Sequence, residues 1–312
     1  MTRGTAGKWQ ARQLGAAAGL LCAFLAVPVS LSAKSEDAPS LLESGLFDTD
    51  RAAITAVDLS YEVYGGGFHV LSLATQAIVT PRRYEIVSRL ETRGIADTLF
   101  NGQMDSQAHG LMTPAGPELL TYAQDYAGYF GERSVDIART ADGSYEVTAE
   151  PPDGIHADGS LPAHTLRGTI DPLTASVFTA INDTDEPCAQ VVPVFDGRRA
   201  FRLRFRPDGE EVLQPESENA YAGPALRCKV TYEAVAGFSR DWYIDQAKDP
   251  LKPFTIWLAT FESADKEEGA PDRFNVPVRL LIETRYLNGV AHLSRAIIDG
   301  EERTSLNASA QP

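Results

Sequence analysis

The densest run of arginines in the sequence is RRAFRLRFR, residues 198–206, with five arginines and no acid. Alternation places Arg202, Arg204 and Arg206 on one face of a strand, with Phe201, Leu203 and Phe205 on the other. Arg227 and Lys229 extend the polar face on a neighbouring strand expected over residues 226–235. Guanidinium forks match phosphate and carboxylate oxygens in pairs. These five residues therefore form a candidate binding strip for an anionic envelope component, lipid or glycan. The competing reading is that they pair with Asp or Glu on adjacent strands, an ordinary cross-strand arrangement.

The remaining polar residues assemble no catalytic motif. His69, His109, His156, His164 and His292 lack the i, i+4 spacing of a metalloprotease helix, and none lies near a Cys or carboxylate in a ligand pattern. NDTDEP at 182–187 and DGIHADG at 153–159 are acidic loops without the full ligand spacing of an EF-hand. There is no G-x-S-x-G elbow, no S-x-x-K set and no Walker loop. Gly65–Gly67 lies between two strands, not before a helix, so it is no phosphate cradle. No metal and no cofactor is expected. Scattered carboxylates of a glycosidase have no fixed sequence spacing, and that is where a hydrolase would be concealed.

The elements that must position these residues are strands. Val57, Leu59, Tyr61 and Val63 alternate with Asp58, Ser60 and Glu62, and Gly65–Gly67 turns the chain. Further strands are expected at 68–79, 83–92, 103–109, 118–126, 133–140 and 145–149. In the C-terminal half they are expected at 190–195, 200–206, 226–235, 253–261, 279–287 and 290–299, the last two joined by a type I′ turn at Asn288–Gly289. Asp171–Pro172 before LTASVFTAI is a helix start: Asp caps free N–H groups and Pro fits the first turn. No parallel βαβ rhythm is visible. The fold class is all-β, mainly antiparallel, as a large β-sandwich or an open curled β-barrel with one or two short helices.

The N-terminus carries an export signature. Arg3, Lys8 and Arg12 precede the apolar run LGAAAGLLCAFLAVPV, and the small residues Ser30, Ser32 and Ala33 follow. Residues 1–33 read as a cleavable signal peptide and 34–50 as a linker. Residues 51–300 read as one β-rich periplasmic domain and 301–312 as a disordered tail. Removing the leader leaves 25 Lys and Arg against 43 Asp and Glu, a net charge of −18. So acidic a chain lacks the basic footprint that nucleic-acid binding needs, and no spanning segment follows the leader. Of three cysteines, Cys22 leaves with it, and Cys188 and Cys228 remain in an oxidising compartment where disulfides persist. They form a disulfide or remain two separate buried thiols.

Several segments in order, YEVYGGGFHV, RRYEIVSRLETRGIADTLF, DPLTA, VFDGRRAFRLRF and YAGPALRCKV before VAGF, resemble the exported bacterial family known as domain of unknown function 3108. The resemblance covers about residues 55–300. It implies a periplasmic β-rich protein with a distant likeness to barrel-like envelope proteins that handle lipids or lipoproteins. It implies no reaction and no catalytic residues, and it supports pairing of Cys188 with Cys228. The expected function is a non-catalytic periplasmic protein that supports envelope integrity by binding a lipid, glycan or protein. The alternative is a periplasmic hydrolase acting on envelope glycans.

Overall fold

The alternation at Thr55–Gly65 is realised as β1 in the computed structural model, with Val57, Leu59 and Val63 buried. The structure describes residues 55–129, 131–152, 161, 163–180, 184–217, 220–262, 273–284 and 287–303. The expected signal peptide, the linker and residues 304–312 lie outside them. Gly66 and Gly67 turn β1 into β2 (Phe68–Val79) with φ of 57° and 86°, left-handed values that glycine adopts without steric cost.

The meander continues through β3 (Arg83–Thr92), β4 (Gln103–Thr113), β5 (Gly116–Ala127), β6 (Arg133–Arg139) and β7 (Tyr145–Glu150). It resumes with β8 (Val191–Phe195), β9 (Ala200–Leu213), β10 (Gly223–Ala236), β11 (Phe254–Glu262), β12 (Arg273–Glu283) and β13 (Asn288–Ile298). All belong to one antiparallel sheet in the order β7-β6-β5-β4-β3-β2-β1-β13-β12-β11-β10-β9-β8. The pairing of β1 with β13 joins the two halves of the chain. Of the two expected architectures, the open curled barrel is the one adopted.

No ladder joins β7 to β8 among the described residues. The two edge regions nevertheless meet. Gly197, at φ 85° in the β8–β9 turn, lies so close to β6 that a Cβ there would fall 2.3 Å from Val135 Cγ1. Arg198 Nη2 donates to the carbonyl of Pro151 at 2.9 Å, just beyond the end of β7. One apolar cluster spans this meeting, including Val135, Ile137, Ala149, Phe195 and Ala200. The curl is closed by side-chain packing and one arginine instead of a backbone ladder.

Four helical segments occur among the described residues, more than the one or two expected: α1 (Gly94–Phe100), α2 (Ala163–Leu166), α3 (Pro172–Ala180) and α4 (Arg240–Lys248). The helix expected from Asp171–Pro172 is α3. Asp171 Oδ1 accepts from the Thr174 N–H at 2.8 Å, as a capping residue should. The extra helices are short connectors. In α1 no side chain caps the first turn, so no start signal marked it. α4 has a cap, Ser239 Oγ accepting from Trp242 N–H at 3.1 Å, but buries no residue and so carries no apolar stripe.

Two boundaries differ from expectation. Asn288 and Gly289 belong to β13, facing Glu283 and Ile282, and the β12–β13 connection is 284–287. Thr284 Oγ1 holds that connection, accepting from Leu287 N–H at 2.9 Å. Glu301 and Glu302, expected in the tail, pair with Ile298 and Ile297 as β14.

α3 packs against β3, β4, β5, β8 and β12, so it lies within the concave side of the curl. Cys188 follows it in sequence and is joined to Cys228 of β10, across 40 residues, with a Cα–Cα distance of 5.3 Å. Both sulfurs lie in a second apolar cluster with Phe201, Leu203, Phe205 and Ile256. The bridge ties the chain that follows α3 to the sheet.

Candidate functional site

The inward residues of β1 to β5 do not all meet α3, and the space between them is a cavity of about 110 Å³. Leu59, Tyr61 and Val63 line it from β1, Leu73 from β2 and Met104 from β4. Leu173 and Val177 close it from α3, and Ile256, Leu280 and Ala291 from the far strands. The volume approaches the roughly 150 Å³ of engineered dry cavities that take up benzene. No Asp, Glu, Lys, Arg or His is among its lining residues.

The polar groups in the lining are mostly engaged with the protein. Tyr61 donates its hydroxyl to the Pro277 carbonyl at 2.9 Å. Ser176 and Thr179 donate to carbonyls within α3, those of Leu173 and Ala175, each at 2.7 Å. Thr75 and Ser88 share a hydrogen bond at 3.0 Å, and Tyr122 donates to Gln124 Oε1 at 2.7 Å. Burial raises the Tyr61 and Tyr122 phenols well above their ordinary value, so both are neutral donors.

Below α3 lies one buried ionisable group. Asp171 is fully buried, and Oδ2, the oxygen not used in capping, has no partner among the described residues. Burial pushes its carboxyl up to about 6, against the opposing pull of its hydrogen bonds with Thr174. Its charge adds to burial in raising the Tyr84 and Tyr122 phenols.

The arginine strip falls on the expected face but is not uniform. Arg202 and Arg206 are exposed, with no ion-pair partner among the described residues. Arg204 grips Glu233 with Nε at 2.5 Å and Nη2 at 3.1 Å. This contact raises the arginine pKa and lowers that of Glu233. Arg227 pairs with Asp208 at 3.0 Å and Glu211 at 3.4 Å, and Lys229 donates to Thr255 Oγ1 at 2.7 Å. The register still brings the five together, since Lys229 faces Arg206 and Glu233 faces Arg202.

The hydrolase reading finds weaker geometry. Ser72, His69 and Glu62 gather on the β1–β2 hairpin, but Ser72 Oγ, at 3.3 Å, and Glu62 both approach the same ring nitrogen, His69 Nε2. A relay needs the serine and the acid on opposite nitrogens. Asp105 and Asp125 face each other across β4 and β5, yet Arg89 Nε and Gln103 Nε2 hold Asp105 at 2.7 and 2.6 Å. Both carboxylates lie outside the cavity lining. The loop 153–159 lies outside the described residues, as do Asn182 and Asp183; Asp185 is paired with Arg273. No helix among the described residues is long and apolar enough to cross a membrane.

The sequence pattern did not single out the cavity. Its apolar residues follow from the alternation of β1. Thr75, Ser88, Ser106 and Gln124, by contrast, occupy inward positions as polar residues, and a single strand gives no reason to call them special. Only the register joins them.

Comparison with known proteins identifies the family of the chain. No curated protein matches the chain. Among solved structures, a beta-barrel-like protein of DUF1849 from Brucella abortus is 10% identical, covering 79% of this chain and 98% of that one, with a TM-score of 0.38. LprF from Mycobacterium bovis is 14% identical, covering 78% and 85%, with a TM-score of 0.19. Scores this low carry no inference. The family model described as Protein of unknown function (DUF3108) matches residues 60–293, and the chain belongs to that family.

Proposed function

We propose that this is a non-catalytic protein of the cell envelope that holds one segment of the apolar chain of an envelope lipid inside its curled sheet. The observation carrying this reading is the uncharged cavity between the concave face of the sheet and α3. An apolar recess dehydrates the part of a hydrocarbon chain that enters it, which is worth about 0.8 kcal/mol per buried CH₂. The export signature and the disulfide support an oxidising location. The hydrolase alternative has less behind it, because the Ser72 group lacks relay geometry and Asp105 is already held by Arg89 and Gln103.

The test is native mass spectrometry of protein purified from its own cells without detergent. A bound lipid is expected, and Leu73→Trp, which fills the cavity from β2, should reduce its occupancy at least about 10-fold while the fold is retained. Bare wild-type protein that also takes up no fluorescent acyl probe would rule the reading out.

A further inference from the structure

Four polar residues stand in line across the inner wall of the cavity. Thr75 faces Ser88, Ser88 faces Ser106, and Ser106 faces Gln124, on four consecutive strands. All four line the cavity. An apolar residue at each place would make a fully hydrocarbon wall, as Leu59 and Val135 do at the two ends of the same row. The row therefore runs as a band of hydrogen-bonding groups across an otherwise apolar surface.

The row has capacity left over. Gln124 Oε1 is occupied by the Tyr122 hydroxyl at 2.7 Å, which turns the amide Nε2 into the donor that finds no acceptor among the described residues. Thr75 and Ser88 spend one hydrogen on each other, and Ser88 Oγ also lies 3.1 Å from the Ala74 carbonyl, so lone pairs on both hydroxyls stay open. The band offers donors and acceptors but no charge.

We propose that the cavity selects an uncharged single-chain lipid bearing an ester, amide or hydroxyl group, and that Thr75, Ser88, Ser106 and Gln124 hold that group. This rests on the lipid reading above and narrows it. An ionised carboxylate or phosphate brought to this band would be desolvated without a counter-charge, a heavy penalty. A plain hydrocarbon would leave the band's spare donors and acceptors covered and unpaired, and that also costs free energy.

The experiment is displacement of a fluorescent acyl probe from the exported protein by three ligands of equal tail length: monooleoylglycerol, oleate at pH 8.5 and 1-octadecene. Monooleoylglycerol should bind at least about 10-fold more tightly than either of the others. Gln124→Leu with Ser88→Ala and Ser106→Ala should bring the ratio of monooleoylglycerol to octadecene near one while octadecene binding is kept. The isosteric Thr75→Val alone should lower the ratio by about 5-fold, the scale of one hydrogen bond, and remains informative if the triple variant does not fold. Oleate binding as tightly as monooleoylglycerol, or a ratio unchanged in Thr75→Val and in the triple variant, would overturn the proposal. In either of those cases the acyl probe still binds, so the lipid reading stands. Failure of the probe and all three ligands to bind removes both.

Discussion

Asp171 does two jobs that conflict. Its Oδ1 caps α3, and its Oδ2 is buried with no partner among the described residues. A carboxyl raised to about 6 in the fold, against about 3.9 unfolded, holds a proton in the native state that the unfolded chain releases. The native state therefore binds more protons between these values, and stability falls as pH rises from about 4 to about 6. The loss persists above that range and amounts to about 3 kcal/mol at most. Asp171→Asn keeps the cap and removes the charge. It should stabilise the protein by about 1–2 kcal/mol at pH 7.5 and by nothing at pH 4, read from urea denaturation at both values. An equal effect at both pH values would show that the carboxyl is not raised. The cap was legible in the Asp–Pro pair; the burial was not, because nothing local says that a helix N-terminus will be enclosed by a curled sheet.

At the scale of elements, the strands were legible and the longer connections were not. Alternation marks each strand because one face is buried, so β1 through β7 emerge from period two alone. α4 was invisible because it buries no residue, and the Asn288–Gly289 pair misled because Thr284 closes the turn one step earlier. The link between Cys188 and Cys228 is the strongest single constraint on an element, since it ties the segment after α3 to β10. Replacing both cysteines with Ala should cost about 2–5 kcal/mol of stability, the usual range for a native disulfide. Equilibrium denaturation of the double variant beside wild type measures it. A change below about 0.5 kcal/mol, the scale of an ordinary surface substitution, would show the bridge to be dispensable.

Taken whole, the molecule is acidic with a cationic stripe. Of the five strip residues, Arg202 and Arg206 are exposed without an ion-pair partner among the described residues, whereas Arg204 and Arg227 are neutralised by their neighbours. Alternation marked the face of each arginine but not its partner, which depends on the strand beside it. We propose that Arg202 and Arg206 are the pair that engages anionic lipid. Arg202→Ser with Arg206→Ser should weaken sedimentation with phosphatidylglycerol vesicles at least about 5-fold at low salt and leave the melting temperature unchanged. Arg204→Ser should have less effect on sedimentation, and wild-type binding should fade as salt rises. Wild-type protein that ignores such vesicles at low salt would end this proposal.

The seam between β6–β7 and the β8–β9 turn has a consequence for gauge. In a closed barrel the number of strands and their stagger fix the diameter, and widening it would break backbone hydrogen bonds around the ring. Here the circumference is interrupted where Gly197 rests on Val135 and Arg198 reaches the Pro151 carbonyl. Those contacts can slide or part without opening a single ladder, so the wall behaves as a split ring and not as a tube. On the lipid reading proposed above, a wider guest would be admitted by opening the split against the packing of Val135, Ile137, Ala149, Phe195 and Ala200, with the β1–β13 junction opposite as the spine.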